Sequence, residues 1–274
     1  MKSFIFHIKN QMNQREFKIC FGILCLISFG GVVLNCTKYY HHSYMNIRSA
    51  ADSFLLVSTS ARAVTMIFSL IFPLIAATLC SGCRRNSEKK GVGLFSMMRM
   101  NRKEYVMGNA VAVIVLTITS ILLVLMMNQL LCLITFPVVG YNNRFGTPEY
   151  VLPLEYDENL LFDFWQVQNP YIYNLIYAVV ISILGGGIAL LTYGIQLFSF
   201  SEKLKPIQIS ILIFLFFICL TLLGQLMNIP VICYLSYVET AHYIGFTSYV
   251  VFIAMIYGLG IGLSIIGMKK YECI

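Results

Sequence analysis

The stretch Asn109-AVAVIVLTITSILLVLMMNQLLCLIT-Phe136 runs for 28 residues without an Asp, Glu, Lys or Arg. A helix needs about 20 mainly apolar residues to cross a bilayer, and in lipid it must satisfy its own backbone N–H and C=O groups. At about 1.5 Å per residue this run spans roughly 42 Å, more than the ~30 Å of hydrocarbon, so it is expected to tilt or project. Five further runs have the same character: Phe17–Leu34, Ala63–Cys80, Tyr171–Phe198, Ile207–Met227 and Gly245–Met268. The expected fold is therefore an all-α membrane protein with six transmembrane helices, in a single domain over residues 1–274.

Composition agrees. Of the 274 residues, 58% are hydrophobic and 11% charged, against about 25% charged in soluble domains. The net charge of +7 has no basic face interleaved with aromatics, so nucleic acid is not an expected partner. Fifteen of the nineteen Lys and Arg residues fall in the N-terminal arm, the second and fourth loops and the C-terminal tail. Lys38, Arg48, Arg62 and Arg144 lie on the other side. By the positive-inside rule both termini are expected in the cytoplasm of a multi-pass cell-membrane protein, with the bacterial cytoplasmic membrane the natural setting. The first run is expected to stay in the mature chain, because no small-x-small cleavage site follows it.

Segments between the spans add detail. Residues 1–14 place Phe4, Ile5, Ile8 and Met12 at helical spacing, with Lys2, Lys9, Asn10 and Asn13 elsewhere. This predicts an N-terminal interfacial helix lying on the membrane. The outer loop over residues 137–170 carries Glu149, Glu155, Asp157, Glu158 and Asp163 among aromatics, and reads as a solvated outer cap. Between spans five and six, Asn228-Ile229-Pro230 breaks the helix and the chain stays apolar to Ile244. That is too short to cross, so a re-entrant segment or short outer helices are expected, with Glu239 and His242 facing each other.

Chemical motifs are few. The chain has no H-E-x-x-H, no G-x-S-x-G and no Walker A sequence. No catalytic residue, metal ligand or cofactor is assigned. The nine cysteines, Cys80-x-x-Cys83 included, read as packing residues. Gly185-Gly186-Gly187 inside the fourth run reads as close helix packing or a local kink. No ionisable residue falls well inside a span, which argues against a proton antiporter. In-span Asn128, Gln129, Gln196 and Gln225 are candidates to line a substrate path, with helix–helix hydrogen bonding as their alternative use.

The loop between spans two and three is the informative one. Around Glu88-Lys89-Lys90-Gly91-Val92-Gly93-Leu94-Phe95-Ser96-Met97-Met98 it sets apolar side chains at helical spacing in a cytoplasmic loop. Such side chains need a partner surface, and methionine suits an adaptable protein contact. Asn101, Arg102, Tyr105 and Gly108 follow and open span three.

This pattern resembles the coupling region of ABC-2 type transporter permeases. In that family a charged stretch and a glycine precede a Leu/Met-type helix, and an S-R-x-x-Y-x-x-G-K pattern opens span three. Gly91, Leu94, Met97, Asn101, Arg102, Tyr105 and Gly108 stand at matching positions. Arg99 departs from a frequent Pro, and Asn109 from a frequent Lys. The layout is also similar across the chain: interfacial helix, six spans, a cytoplasmic coupling helix between spans two and three, and a re-entrant segment between spans five and six.

The resemblance implies an exporter permease forming half of a dimeric channel with a second copy or paralogue. A separate cytoplasmic ABC ATPase would bind ATP and Mg and grip Gly91, Leu94, Phe95, Met97, Met98, Arg102 and Tyr105. Spans one, two and five would line the dimer interface. An amphipathic cargo is expected, its class left open among peptides, lipids, glycan precursors and hydrophobic drugs. The alternative is a membrane anchor or sensor for a cytoplasmic partner that moves no cargo.

Overall fold

The computed structural model describes residues 2–41, 47–82, 102–138, 160–198, 204–240 and 244–271. Every regular element among them is helical. In chain order these are α1 (Lys2–Met12), α2 (Arg15–Tyr39), α3 (Arg62–Leu79), α4 (Arg102–Thr135), α5 (Asp163–Gln168), α6 (Pro170–Gln196), α7 (Pro206–Leu226), α8 (Leu235–Val238) and α9 (Phe246–Tyr271). Six of them, α2, α3, α4, α6, α7 and α9, are long and apolar enough to cross a membrane. Each coincides with one of the six apolar runs. The main difference lies at α4, whose 34 residues begin seven positions earlier than the apolar run. That is about 51 Å of helix, so its charged first turns stand clear of any hydrocarbon layer.

Helix α6 occupies the centre and packs against α9, α4, α3 and α7. Glycine lets it do so. A Cβ at Gly186 would lie 2.7 Å from Ile118 Cγ1 of α4 and 2.8 Å from Tyr257 Oη of α9, and one at Gly187 would lie 2.9 Å from Tyr257 Cε2. A Cβ at Gly185 would overlap Ile121. The helix runs unbroken through this triplet, and the glycines serve close packing. Helix α2 packs on α3 and α4, and α7 lies beside α3.

Contacts between distant segments define two ends of the bundle. At the terminal end Gly108 meets His7 of α1, Tyr193 Oη donates to Val106 O at 3.1 Å, and Gly267 of α9 lies against Leu197. The first and last helices therefore share that end. The loop end gathers Asn35, residues 47–61, Asn128, Asn174 and Thr240.

After α7 the chain turns in a Schellman motif. Asn228 takes φ 53°, Ile229 N–H donates to Gly224 O at 2.9 Å and Asn228 N–H to Gln225 O at 3.2 Å; asparagine is one of the few residues that adopts this conformation readily. The chain then folds back, crossing Gly224 so closely that a Cβ there would lie 2.5 Å from Cys233 N. Tyr234, Tyr237 and Val238 of this return are fully buried. The expected segment between spans five and six thus contains one four-residue helix. The expected Glu239–His242 contact lies outside the described residues.

Candidate functional site

Five of the expected coupling residues, Gly91, Leu94, Phe95, Met97 and Met98, lie outside the described residues. Arg102 is the first residue of α4. Tyr105, one turn on, is buried, with its ring 5.3 Å from the His7 ring in an edge contact. Its place is between α4 and α1, where it joins the start of α4 to the N-terminal helix.

Helix α1 presents two faces. Ile5 and Met12, expected on the apolar face, are exposed together with Phe6, while Ile8 packs partly on the core. The opposite face is polar and buried at His7 and Gln11, and Gln14, which precedes the first residue of α2, is buried too. Burial lowers the His7 pKa from its ordinary 6.5, against an opposing hydrogen bond with Asn109. His7 Nε2 and both side-chain polar atoms of Gln14 are buried without a hydrogen-bond partner. A polar buried face was not foreseen, because helical spacing of Phe4, Ile5, Ile8 and Met12 accounted for the segment on its own.

At the loop end the structure builds a polar centre around residues 47–61, which link α2 to α3. The sequence reading gives them no role beyond placing Arg48 on the outer side. Yet Ala50, Ala51, Phe54, Leu55 and Leu56 are at most 2% exposed. Their backbone groups are irregular and need partners, which come from side chains on the surrounding helices. Asn35 of α2 donates to Ser53 O at 2.9 Å and accepts from Ser58 Oγ at 2.9 Å. Asn128 of α4 accepts from Leu55 N–H at 2.9 Å and donates to Ser28 O of α2 at 2.9 Å. Gln129 donates to Ala50 O at 3.3 Å, and Asn174 of α6 donates to Ala51 O at 2.9 Å and to Gln129 Oε1 at 2.8 Å. Thr65 Oγ1 and Thr240 Oγ1 donate to Leu55 O and Leu56 O at 2.7 and 3.0 Å. Ala50 N–H donates to Pro137 O at 2.9 Å. Leaving one such buried partner unmade costs about 1–3 kcal/mol.

The segment also carries charge. Arg48 is buried, and Asp52 Oδ2 is buried without a hydrogen-bond partner. Desolvation raises the Asp52 carboxyl from 3.8 to about 6, against Arg48 and a Ser49 hydrogen bond that favour the anion. The outer-loop carboxylate Asp163, expected in solvent, is instead buried at the start of α5.

The four candidate path residues are not gathered along one route. Asn128 and Gln129 sit together at the loop end. Gln196 is buried at the opposite end of α6, 22 residues or roughly 33 Å from Asn174. Gln225 is exposed near the end of α7. Asn128 and Gln129 divide their bonds: Leu55 N–H and Ala50 O in the loop, and Ser28 O of α2 and Asn174 of α6 between helices. Asn35, Asp52 and Asn174 complete this centre and were missed. Asn35 and Asn174 are single amides near span ends, and the signal for the loop was its Phe54-Leu55-Leu56-Val57 run, too apolar for a free segment.

Chemically the centre is a clamp of neutral amides, hydroxyls and backbone. Among the described residues no group of three or more His, Cys, Asp or Glu is placed to hold a metal ion. Buried thiols serve packing and local bonds, as in Cys20 Sγ to Thr78 Oγ1 at 2.9 Å. Compared with known proteins, the chain matches no family model, no curated protein and no solved structure.

Proposed function

We propose that this chain is the permease subunit of an ATP-driven exporter of the ABC-2 type, coupled to a separate cytoplasmic ATPase and paired with a second permease copy or paralogue. The observation that carries this reading is the apolar stretch Gly91–Met98 followed by Asn101, Arg102, Tyr105 and Gly108 at the opening of the longest span. The six long apolar helices and the meeting of both terminal helices at one end of the bundle are compatible with it. In this reading the terminal end is cytoplasmic, because the basic residues concentrate there. The ATPase, which binds ATP and Mg, moves the 91–98 segment. The motion passes into α4, and from Tyr105 to α1. Helices α2, α3 and α7 face the second permease, and the cargo is amphipathic.

The test is ATP-dependent movement of fluorescent amphipathic probes in sealed vesicles holding the permease with its co-purified ATPase. Phe95→Ser with Met98→Ser is expected to abolish both co-purification and uptake. Unchanged association in that variant, or movement in vesicles lacking any ATPase, overturns the proposal. Association without any ATP-dependent movement favours the anchor reading.

A further inference from the structure

Residues 47–58 carry an acid whose anion is only partly accommodated: Arg48 and a Ser49 hydrogen bond favour it, but its Oδ2 is buried away from any donor among the described residues. The carbonyls of Ala50, Ala51, Ser53 and Leu55 are held by neutral groups: the amides of Gln129, Asn174 and Asn35, the Cys132 thiol and the Thr65 hydroxyl. Asp52 lies in the middle of them. Its own N–H bonds back to Ser49 Oγ at 3.2 Å, while its Oδ2 is buried with no partner. The titratable and charged groups that act on it or feel it are Arg48 in the same segment, Tyr39 on α2 and Tyr171 on α6. Cys132 of α4 acts on Tyr171 in turn. Tyr39 Oη is engaged with Ser60 Oγ at 2.6 Å, and Tyr171 Oη donates to Val138 O at 2.8 Å. Lys38 and His41, nearest along the chain on the α2 side, are exposed. Among the described residues no group supplies the second carboxylate oxygen with the donor that an anion needs.

We propose that residues 47–58 form a proton-set latch at the loop end, held between α2, α4 and α6 while Asp52 is neutral and loosened when Asp52 ionises. The idea is independent of any transport role. It goes beyond simple burial because the bonded carbonyls lie within three residues of Asp52, so the segment must be held or released as a unit. The sign follows from linkage. The inserted form binds the Asp52 proton more tightly than the released form, since burial raises the carboxyl from 3.8 to about 6. Insertion is therefore firmest below about pH 4, weakens as pH rises, and reaches its weakest level above about pH 6. Arg48 opposes the change and keeps the anion tolerable.

The test is hydrogen exchange by mass spectrometry on the full chain in nanodiscs of uncharged lipid, at pH 4.5 and 7.5, corrected for intrinsic exchange rates. Peptides covering 47–58 are expected to lose protection by roughly tenfold or more at pH 7.5, while α6 peptides stay unchanged. Asp52→Asn is expected to give the same high protection at both values, and Asp52→Glu to keep the response. Equal protection of the wild-type segment at both pH values overturns the latch, as does a response that survives in Asp52→Asn. If Asp52→Asn does not fold, the wild-type comparison decides alone.

Discussion

The two ends of the bundle bury similar polar side chains and treat them in opposite ways. At the loop end Asn35, Gln129 and Asn174 donate to carbonyls of one inserted segment, and Asn128 accepts from its Leu55 N–H while donating to Ser28 O of α2, so that α2, α4 and α6 are tied to the segment. At the terminal end His7 Nε2 and both polar atoms of the Gln14 side chain are buried without partners. A satisfied amide resists removal, because its loss strands the group it served; an unsatisfied one already carries the desolvation cost. The loop end is thus stapled, whereas α1 is held by the His7–Asn109 bond and the His7–Tyr105 ring contact beside buried atoms that carry an uncompensated desolvation cost.

The largest expected effect comes from breaking the staple. Asn128→Leu strands Leu55 N–H and the Ser28 carbonyl contact, and is expected to lower stability by about 3 kcal/mol. Equilibrium unfolding in mixed micelles measures this; a loss under about 1 kcal/mol would mean that the loop end is not clamped. Next comes the neutral ground between the ends. Gly186→Ala places a methyl against Ile118 and Tyr257, with an expected cost of about 2 kcal/mol from overpacking. It should not alter the exchange behaviour of either end, and a selective change at one end would show that the central helix couples them.

Acid sharpens the contrast by acting oppositely at the two ends. His7 has a lowered pKa, so its neutral form favours the docked helix, and docking of α1 is expected to weaken as pH falls through about 6.5, its ordinary value. The 47–58 segment is expected to tighten as pH falls further, from about 6 towards 4. Exchange at α1 amides should rise on acidification in the wild type and not in His7→Gln; a rise that persists in the variant would place its cause elsewhere. The smallest effect is expected at Gln14. Gln14→Leu removes two unpartnered polar atoms at similar volume and should leave stability unchanged or raise it by about 1 kcal/mol. A loss of 2 kcal/mol or more on unfolding would show that the terminal end is satisfied after all, and would erase the difference between the ends.

Some of this is legible in the residues and some is not. The six helices were readable because 18 or more apolar residues in a row leave the backbone few other solutions in lipid. Asn128 and Gln129 stand out as polar residues in an apolar run, but their partners were not readable. Ala50 is 79 residues from Gln129, and Ala51 is 123 from Asn174. The insertion of residues 47–61 was not readable, because burial of Phe54 and Leu55 depends on a gap that three helices must first create.

By itself the sequence determined the six membrane-length helices and the clustering of basic residues, since each follows from local composition and the cost of an unbonded backbone in hydrocarbon. Only the tertiary structure decided that α6 is central, with 72% of its apolar window buried against 28% for α9. It also decided that a loop fills the loop end and that the N-terminal helix turns a polar face inward. Those outcomes depend on which helices become neighbours, and the pattern of a single segment does not specify the atoms it will meet.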